Sequence, residues 1–109
     1  MVVDLDLHES ERGEFRVVAV GGEIDVYTAP TLRERLESVL ESGVTKLCID
    51  LTEVQFLDST GLGVLVGTMR KMGGDSSLVV VCNRPHVLKV FEVTGLSKVF
   101  DIRHSIDEV

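Results

Sequence analysis

Ser59 to Met72, STGLGVLVGTMRKM, stands between two short apolar runs, Lys46-Leu47-Cys48-Ile49-Asp50-Leu51 and Ser77-Leu78-Val79-Val80-Val81-Cys82. Within it Leu62, Leu65, Val66, Met69 and Met72 recur at the spacing of one helical face, and Gly73-Gly74 follows as a break. The two flanking runs are too short and too continuously apolar for surface helices. They predict central, largely parallel strands joined by a crossover helix. Met69 and Met72 fit as core filler on the inner face of that helix.

Upstream, Phe15-Arg16-Val17-Val18-Ala19-Val20 is a β-branched run closed by Gly21-Gly22, and Val3 to Leu7 alternates apolar and acidic residues like an edge strand. Glu11-Arg12-Gly13-Glu14 joins them as a hairpin. A short extended piece, Glu23-Ile24-Asp25, leads into a helix from Thr28 to Ser42 that has Pro30 in its opening turn. Leu32, Leu36, Val39 and Leu40 share one face of it, and Gly43 ends it. Arg33, Glu34, Arg35, Glu37 and Glu41 form its solvated face. Downstream, Pro85 opens a third helix with Val87, Leu88 and Phe91 turned inward and Gly95 closing it. Lys98 to Ile102 reads as a last strand, and Ser105 to Glu108 as a last helical turn capped by Ser105. The predicted order is β-β-(short β)-α-β-α-β-α-β-α. It forms one α/β domain spanning residues 1–109, a small mixed β-sheet with about four helices packed on it.

The 109 residues suffice for one core, and 44% hydrophobic against 27% charged residues is the composition of a folded globular domain. Eighteen acidic residues against 11 basic give a net charge of −7, a field that repels nucleic acid and anionic lipid. The N-terminus MVVDLDLHESERGEF has neither the basic start nor the apolar block of a secretory signal. No apolar run approaches the roughly 18–20 residues of a membrane span, so a cytoplasmic protein is expected. Cys48 and Cys82 sit inside apolar strands without CxxC spacing or a neighbouring His, which predicts buried thiols and no metal site. No cofactor is expected either.

Chemistry concentrates at Phe56-Leu57-Asp58-Ser59-Thr60-Gly61-Leu62-Gly63, where Asp58 and Ser59 stand at the start of the crossover helix. Unpaired amides and the helix dipole favour negative charge there by roughly 0.3–1 kcal/mol. Either Asp58 or Ser59 can be the N-cap, with Thr60 as second choice. Gly61, Gly63 and Gly67 should each cost a helix about 0.5–1 kcal/mol relative to Ala, so something is expected to come close to it. A dinucleotide or phosphate loop fits poorly, because the glycine spacing is one residue too long for GxGxxG and no Gly-Lys-Ser/Thr follows. A serine nucleophile lacks the elbow glycine before Asp58, and His8, His86 and His104 are not predicted to face Ser59. The remaining role makes Ser59 a substrate: phosphorylation would add about 1.5–2 negative charges at a helix start that tolerates them, beside Asp58 and near Glu23 and Asp25.

Four segments in order, Gly22-Glu23-Ile24-Asp25, Thr28-Ala29-Pro30, Phe56 to Val64, and Val93-Thr94-Gly95-Leu96 with Val99-Phe100, resemble the anti-sigma factor antagonists of the STAS domain superfamily. The likeness covers nearly the whole chain and implies a single STAS-like domain. It also implies a non-enzymatic partner that binds an anti-sigma factor with serine kinase activity and so frees a sigma factor. By the same resemblance Ser59 is the phosphorylated serine, phosphorylation abolishes binding, and a PP2C-type phosphatase restores it. Glu23, Asp25, Asp58, Ser59, Thr60, Gly61, Leu62 and Gly63 are then the partner-binding residues, with the three helix glycines admitting the partner's backbone. A STAS adaptor in another kinase complex, a nucleotide-binding domain and a serine-nucleophile enzyme are the alternatives.

Overall fold

The computed structural model describes residues 4–109. Five strands, β1 (Asp6–Arg12), β2 (Phe15–Ile24), β3 (Lys46–Leu57), β4 (Ser77–Val81) and β5 (Asp101–Arg103), lie in sequential order in one sheet. β1 runs antiparallel to β2 through a tight hairpin that pairs Arg12 with Phe15, and all later neighbours are parallel. Three α-helices make the crossovers: α1 (Ala29–Glu41), α2 (Ser59–Lys71) and α3 (Pro85–Val93). Parallel crossovers are right-handed. Three in succession that step across the sheet in the same direction must therefore leave their helices on the same face.

The core records that geometry. Val18, Val20, Leu47, Ile49, Leu51 and Val80 of the sheet share one cluster with Leu32, Leu36 and Val39 of α1, Leu62 and Leu65 of α2, and Val87 and Phe91 of α3. The predicted inner faces hold, with Leu40, Val66, Met69, Met72 and Leu88 half-buried at the margin of that cluster. On the opposite face Val17, Cys48, Val79 and Val81 form a smaller cluster, covered by Phe15, Ile106 and Val109.

Several expected boundaries move. The predicted edge strand from Val3 lies partly outside the described residues, and β1 continues to Arg12. Gly21-Gly22 does not close β2. The strand runs on through Ile24, absorbing the expected short strand. β3 likewise extends six residues beyond Leu51, to Leu57. Both extensions come from two irregularities in the β2–β3 register, between Ala19 and Gly21 and between Gly22 and Glu23, where β3 accommodates extra residues. Each bulge shifts the pleat by one residue, so inward positions fall at Leu47, Ile49, Leu51, then Val54, then Leu57. Strict alternation is lost while the strand is not.

Three α-helices lie among the described residues where about four were expected. The C-terminal turn, Ile106–Glu108, is a three-residue 3-10 turn, too short for an α-helix although Ser105 caps it as predicted by accepting from Asp107 N. The expected strand from Lys98 instead begins with a 3-10 turn, Leu96–Lys98. Gly95 at φ 77° reverses the chain after α3, in a region where other residues are strained. Phe100 is thereby buried edge-to-face against Phe91, at 5.8 Å between ring centroids.

Both cysteines are buried and unpaired. Burial, reinforced by the nearby Asp50 carboxylate, pushes the Cys48 thiol up to about 11, and burial also raises Cys82. An unfolded thiol ionises near 9.0 and the folded one nearer 11, so deprotonation favours the unfolded chain. Stability against denaturant should not vary with pH on account of this group below pH 9, and should fall more steeply between pH 9 and 11 in the wild type than in Cys48→Ala. Parallel slopes for the two proteins would contradict this assignment.

Candidate functional site

The bulged ends of β2 and β3 bring the two acidic segments together. Glu23 pairs with Phe56 and Ile24 with Leu57, and the Asp58 amide donates to Ile24 O at 3.2 Å. Both strands then turn into helices at the same rim of the sheet, α1 four residues beyond Asp25 and α2 immediately after Asp58.

Each turn is held by an aspartate. Asp58, in extended backbone, is the N-cap of α2: its Oδ1 accepts from Thr60 N at 2.9 Å and Gly61 N at 3.1 Å. The choice between Asp58 and Ser59 as cap is therefore made in favour of Asp58. Ser59 becomes the first helical residue, exposed, with its hydroxyl not used by the cap. Thr60 is half-buried behind it. Asp25 does related work before α1. Its Oδ1 accepts from Tyr27 N at 2.9 Å and Thr28 N at 3.0 Å, while Thr28 Oγ1 accepts from Asp25 N at 3.0 Å and donates to Glu23 O at 2.7 Å. Asp25 O then accepts the Ala29 amide at 2.8 Å. These reciprocal bonds fix the loop from Glu23 to Ala29, so the aspartate that the family likeness assigns to the partner surface is also a structural residue here.

The helix glycines divide into two kinds. Gly61 is buried, and a Cβ there would stand 2.5 Å from Leu57 Cδ1 and 2.6 Å from Ile24 Cγ2. Close packing of α2 on its own sheet requires this glycine, which corrects the expectation that it admits a partner's backbone. Leu62, 3% exposed, likewise belongs to the core. Gly63 and Gly67 have nothing within 4 Å of an added Cβ, so the fold of the isolated chain does not require them. Of the residues assigned to the partner surface, Glu23, Ser59 and Gly63 are exposed, and Asp25, Asp58 and Thr60 half-buried.

The rim is acidic. Glu23, Asp25 and Asp58 lie along it, and no Lys or Arg occurs between residues 17 and 32 or between 47 and 69. Arg84, just before α3, donates through Nε to Thr52 O at 2.9 Å and lies 3.8 Å from Glu53. His86 at the start of α3 is hydrogen-bonded to Gln55 O, while His8 lies on β1 and His104 near the C-terminus. Three apolar residues also reach solvent here: Val26 at 58% and Tyr27 at 86% exposure, neither singled out in the sequence, and Phe56 at 46%, which opens the motif but was given no role of its own. The available signal was a pair of bulky apolar residues set inside a turn bounded by two capping residues, Asp25 and Thr28.

Residues 7–109 match the STAS domain family. The chain is 41% identical over 105 residues to the anti-sigma-B factor antagonist of Bacillus subtilis (strain 168), covering 94% of this chain and 92% of that protein. It is 32% identical over 106 residues to the anti-sigma-B factor antagonist of Staphylococcus aureus (strain NCTC 8325 / PS 47), covering 96% and 98%. The crystal structure of an anti-sigma factor antagonist from Mycobacterium paratuberculosis superposes with a TM-score of 0.91 at 34% identity, covering 95% of this chain and 89% of that one. The chain thus belongs to the STAS domain family, within the group of anti-sigma factor antagonists.

Substitutions should separate the roles of the glycines and the cap. Gly61→Ala overpacks α2 against Ile24 and Leu57 and should lower stability by about 1–3 kcal/mol. Gly63→Ala, with open space around it, should raise stability by about 0.5–1 kcal/mol through helix propensity. Asp58→Ala should cost about 0.5–2 kcal/mol and Asp58→Asn much less, since Asn caps equally well. Urea unfolding of the four variants checks the pattern, and equal stabilities for the two glycine variants would refute it.

Proposed function

We propose that this chain is an anti-sigma factor antagonist whose unphosphorylated form binds an anti-sigma factor with serine kinase activity, and that phosphorylation of Ser59 releases it. The observation that carries this is the division of labour at the start of α2. Asp58 takes the capping bonds, and the neighbouring Ser59 hydroxyl is left exposed on the first turn. A kinase can reach such a hydroxyl without unfolding the helix, and the dipole then tolerates the phosphate it leaves. The relatives' names supply the partner class, since they are antagonists of anti-sigma factors.

Release follows from charge and desolvation. A kinase presents the γ-phosphate of ATP to the hydroxyl it modifies, so the phosphoserine product faces nucleotide phosphates on one side and the Asp58 carboxylate on the other. In a packed interface that dianion loses water and meets like charge on both sides. A penalty of about 3–4 kcal/mol weakens affinity several hundred-fold, enough to exchange partners at fixed concentration. In this scheme Ser59 is acted upon and the chain is not an enzyme. A PP2C-type phosphatase resets the site, and the exchange takes place in the cytoplasm.

A cognate anti-sigma kinase with ATP should add one phosphate to the wild type, mapped to Ser59 and not Thr60, and none to Ser59→Ala; labelling that persists in the Ala variant sinks the site assignment. Ser59→Asp should keep the wild-type unfolding midpoint and lose partner binding in a titration. Loss of folding in that variant would contradict the tolerance of the helix start for negative charge.

A further inference from the structure

Among the described residues five large apolar side chains are conspicuously exposed, and three of them, Val26, Tyr27 and Phe56, lie at the rim that carries Ser59. We infer that these three form the apolar anchor by which the anti-sigma kinase grips this chain, with the Tyr27 ring seated in an apolar recess edged by Lys or Arg side chains. The inference rests on the function proposed above and assigns the grip to residues separate from the serine that switches it.

Tyr27 is fully presented. The residue is 86% exposed, while its amide is pinned to Asp25 Oδ1 and the next residue is locked by Thr28 Oγ1. A loop already fixed in place loses little further entropy on docking, and a Tyr on such a loop offers a large amphipathic surface of the kind that dominates interface energies. Phe56 stands across the β2–β3 pairing from Glu23, two residues before the α2 cap, so Phe56 and the Val26-Tyr27 turn both lie at the strand ends that lead into α2 and α1. Glu23, Asp25 and Asp58 stand in the same two segments, and no Lys or Arg occurs in either between residues 17 and 32 or between 47 and 69.

That surround selects the occupant. A second copy of this chain would bring carboxylates against carboxylates, and an anionic lipid surface would be repelled in the same way. A protein with basic side chains around an apolar recess satisfies both components of the patch. Holding and switching are then separable. The anchor contributes to every encounter, and the phosphate acts only at Ser59.

Steady-state phosphorylation of Ser59 by the ATP-loaded anti-sigma kinase tests this. Tyr27→Ala should raise KM about tenfold or more with kcat unchanged, the signature of lost binding energy that is equal in ground and transition states. Tyr27→Phe should stay close to the wild type, and neither should move the unfolding midpoint. Added salt should raise KM in the wild type and in Tyr27→Ala by the same factor, since it acts on the charged surround. A Tyr27→Ala KM within about twofold of wild type, a fall in kcat with KM unchanged, a lowered unfolding midpoint, or a salt-independent KM each overturns the inference. If the kinase leaves wild-type Ser59 unmodified, the functional proposal fails first, and that is visible before any variant is made.

Discussion

The handedness of the β-α-β crossover governs the rest of this molecule. A right-twisted strand followed by a right-handed helix packs back onto its sheet in one way only. Because β2, β3, β4 and β5 follow one another in space as in sequence, all three helices are committed to one face. Every crossover helix then starts at the same end of the sheet, where the parallel strands terminate. The rim that holds Asp25, Asp58 and Ser59 is a product of this topology, since it gathers the starts of α1 and α2 without long loops. The other face, left with only a four-residue apolar cluster, is closed by the C-terminal turn through Ile106 and Val109.

Local electrostatics finish what topology begins. Two aspartates, one before each helix, consume the unpaired amides at the turns and set the backbone of both acidic segments. At α2 this leaves a hydroxyl next to a carboxylate that is already committed to two backbone donors. Asp58 therefore cannot leave its place without uncapping the helix. Its charge stays beside Ser59 whatever the serine carries.

Periodic signals made much of this legible in the sequence. The face of α2 defined by Leu62 and Leu65, the start of α3 at Pro85 and the hairpin at Gly13 all follow from spacing and turn chemistry. The long β3 did not show itself, because bulges re-phase the burial pattern and Leu51, Val54 and Leu57 then look like an interrupted strand followed by a loop. The cap was narrowed to two neighbouring residues, since Asp and Ser are nearly equal candidates and only backbone geometry separates them. Gly61 was visible as an anomaly, but its cause was not: the atoms that exclude a side chain come from Ile24 and Leu57, and Ile24 lies 37 positions away in the chain. Val26 and Tyr27 escaped notice, and Phe56 was read only as part of its motif, because one or two apolar residues carry no period.

Gly61 has a further implication for how information leaves this protein. With its α-carbon lodged against Ile24 and Leu57, the first turn of α2 has no slack in which to slide or roll over the sheet. A phosphate placed on Ser59, in that same turn, would have no soft coordinate to push along. The domain would then behave like a printed character and not a lever: a reader would detect a mark on a stationary surface, and the message would not have to travel through the core.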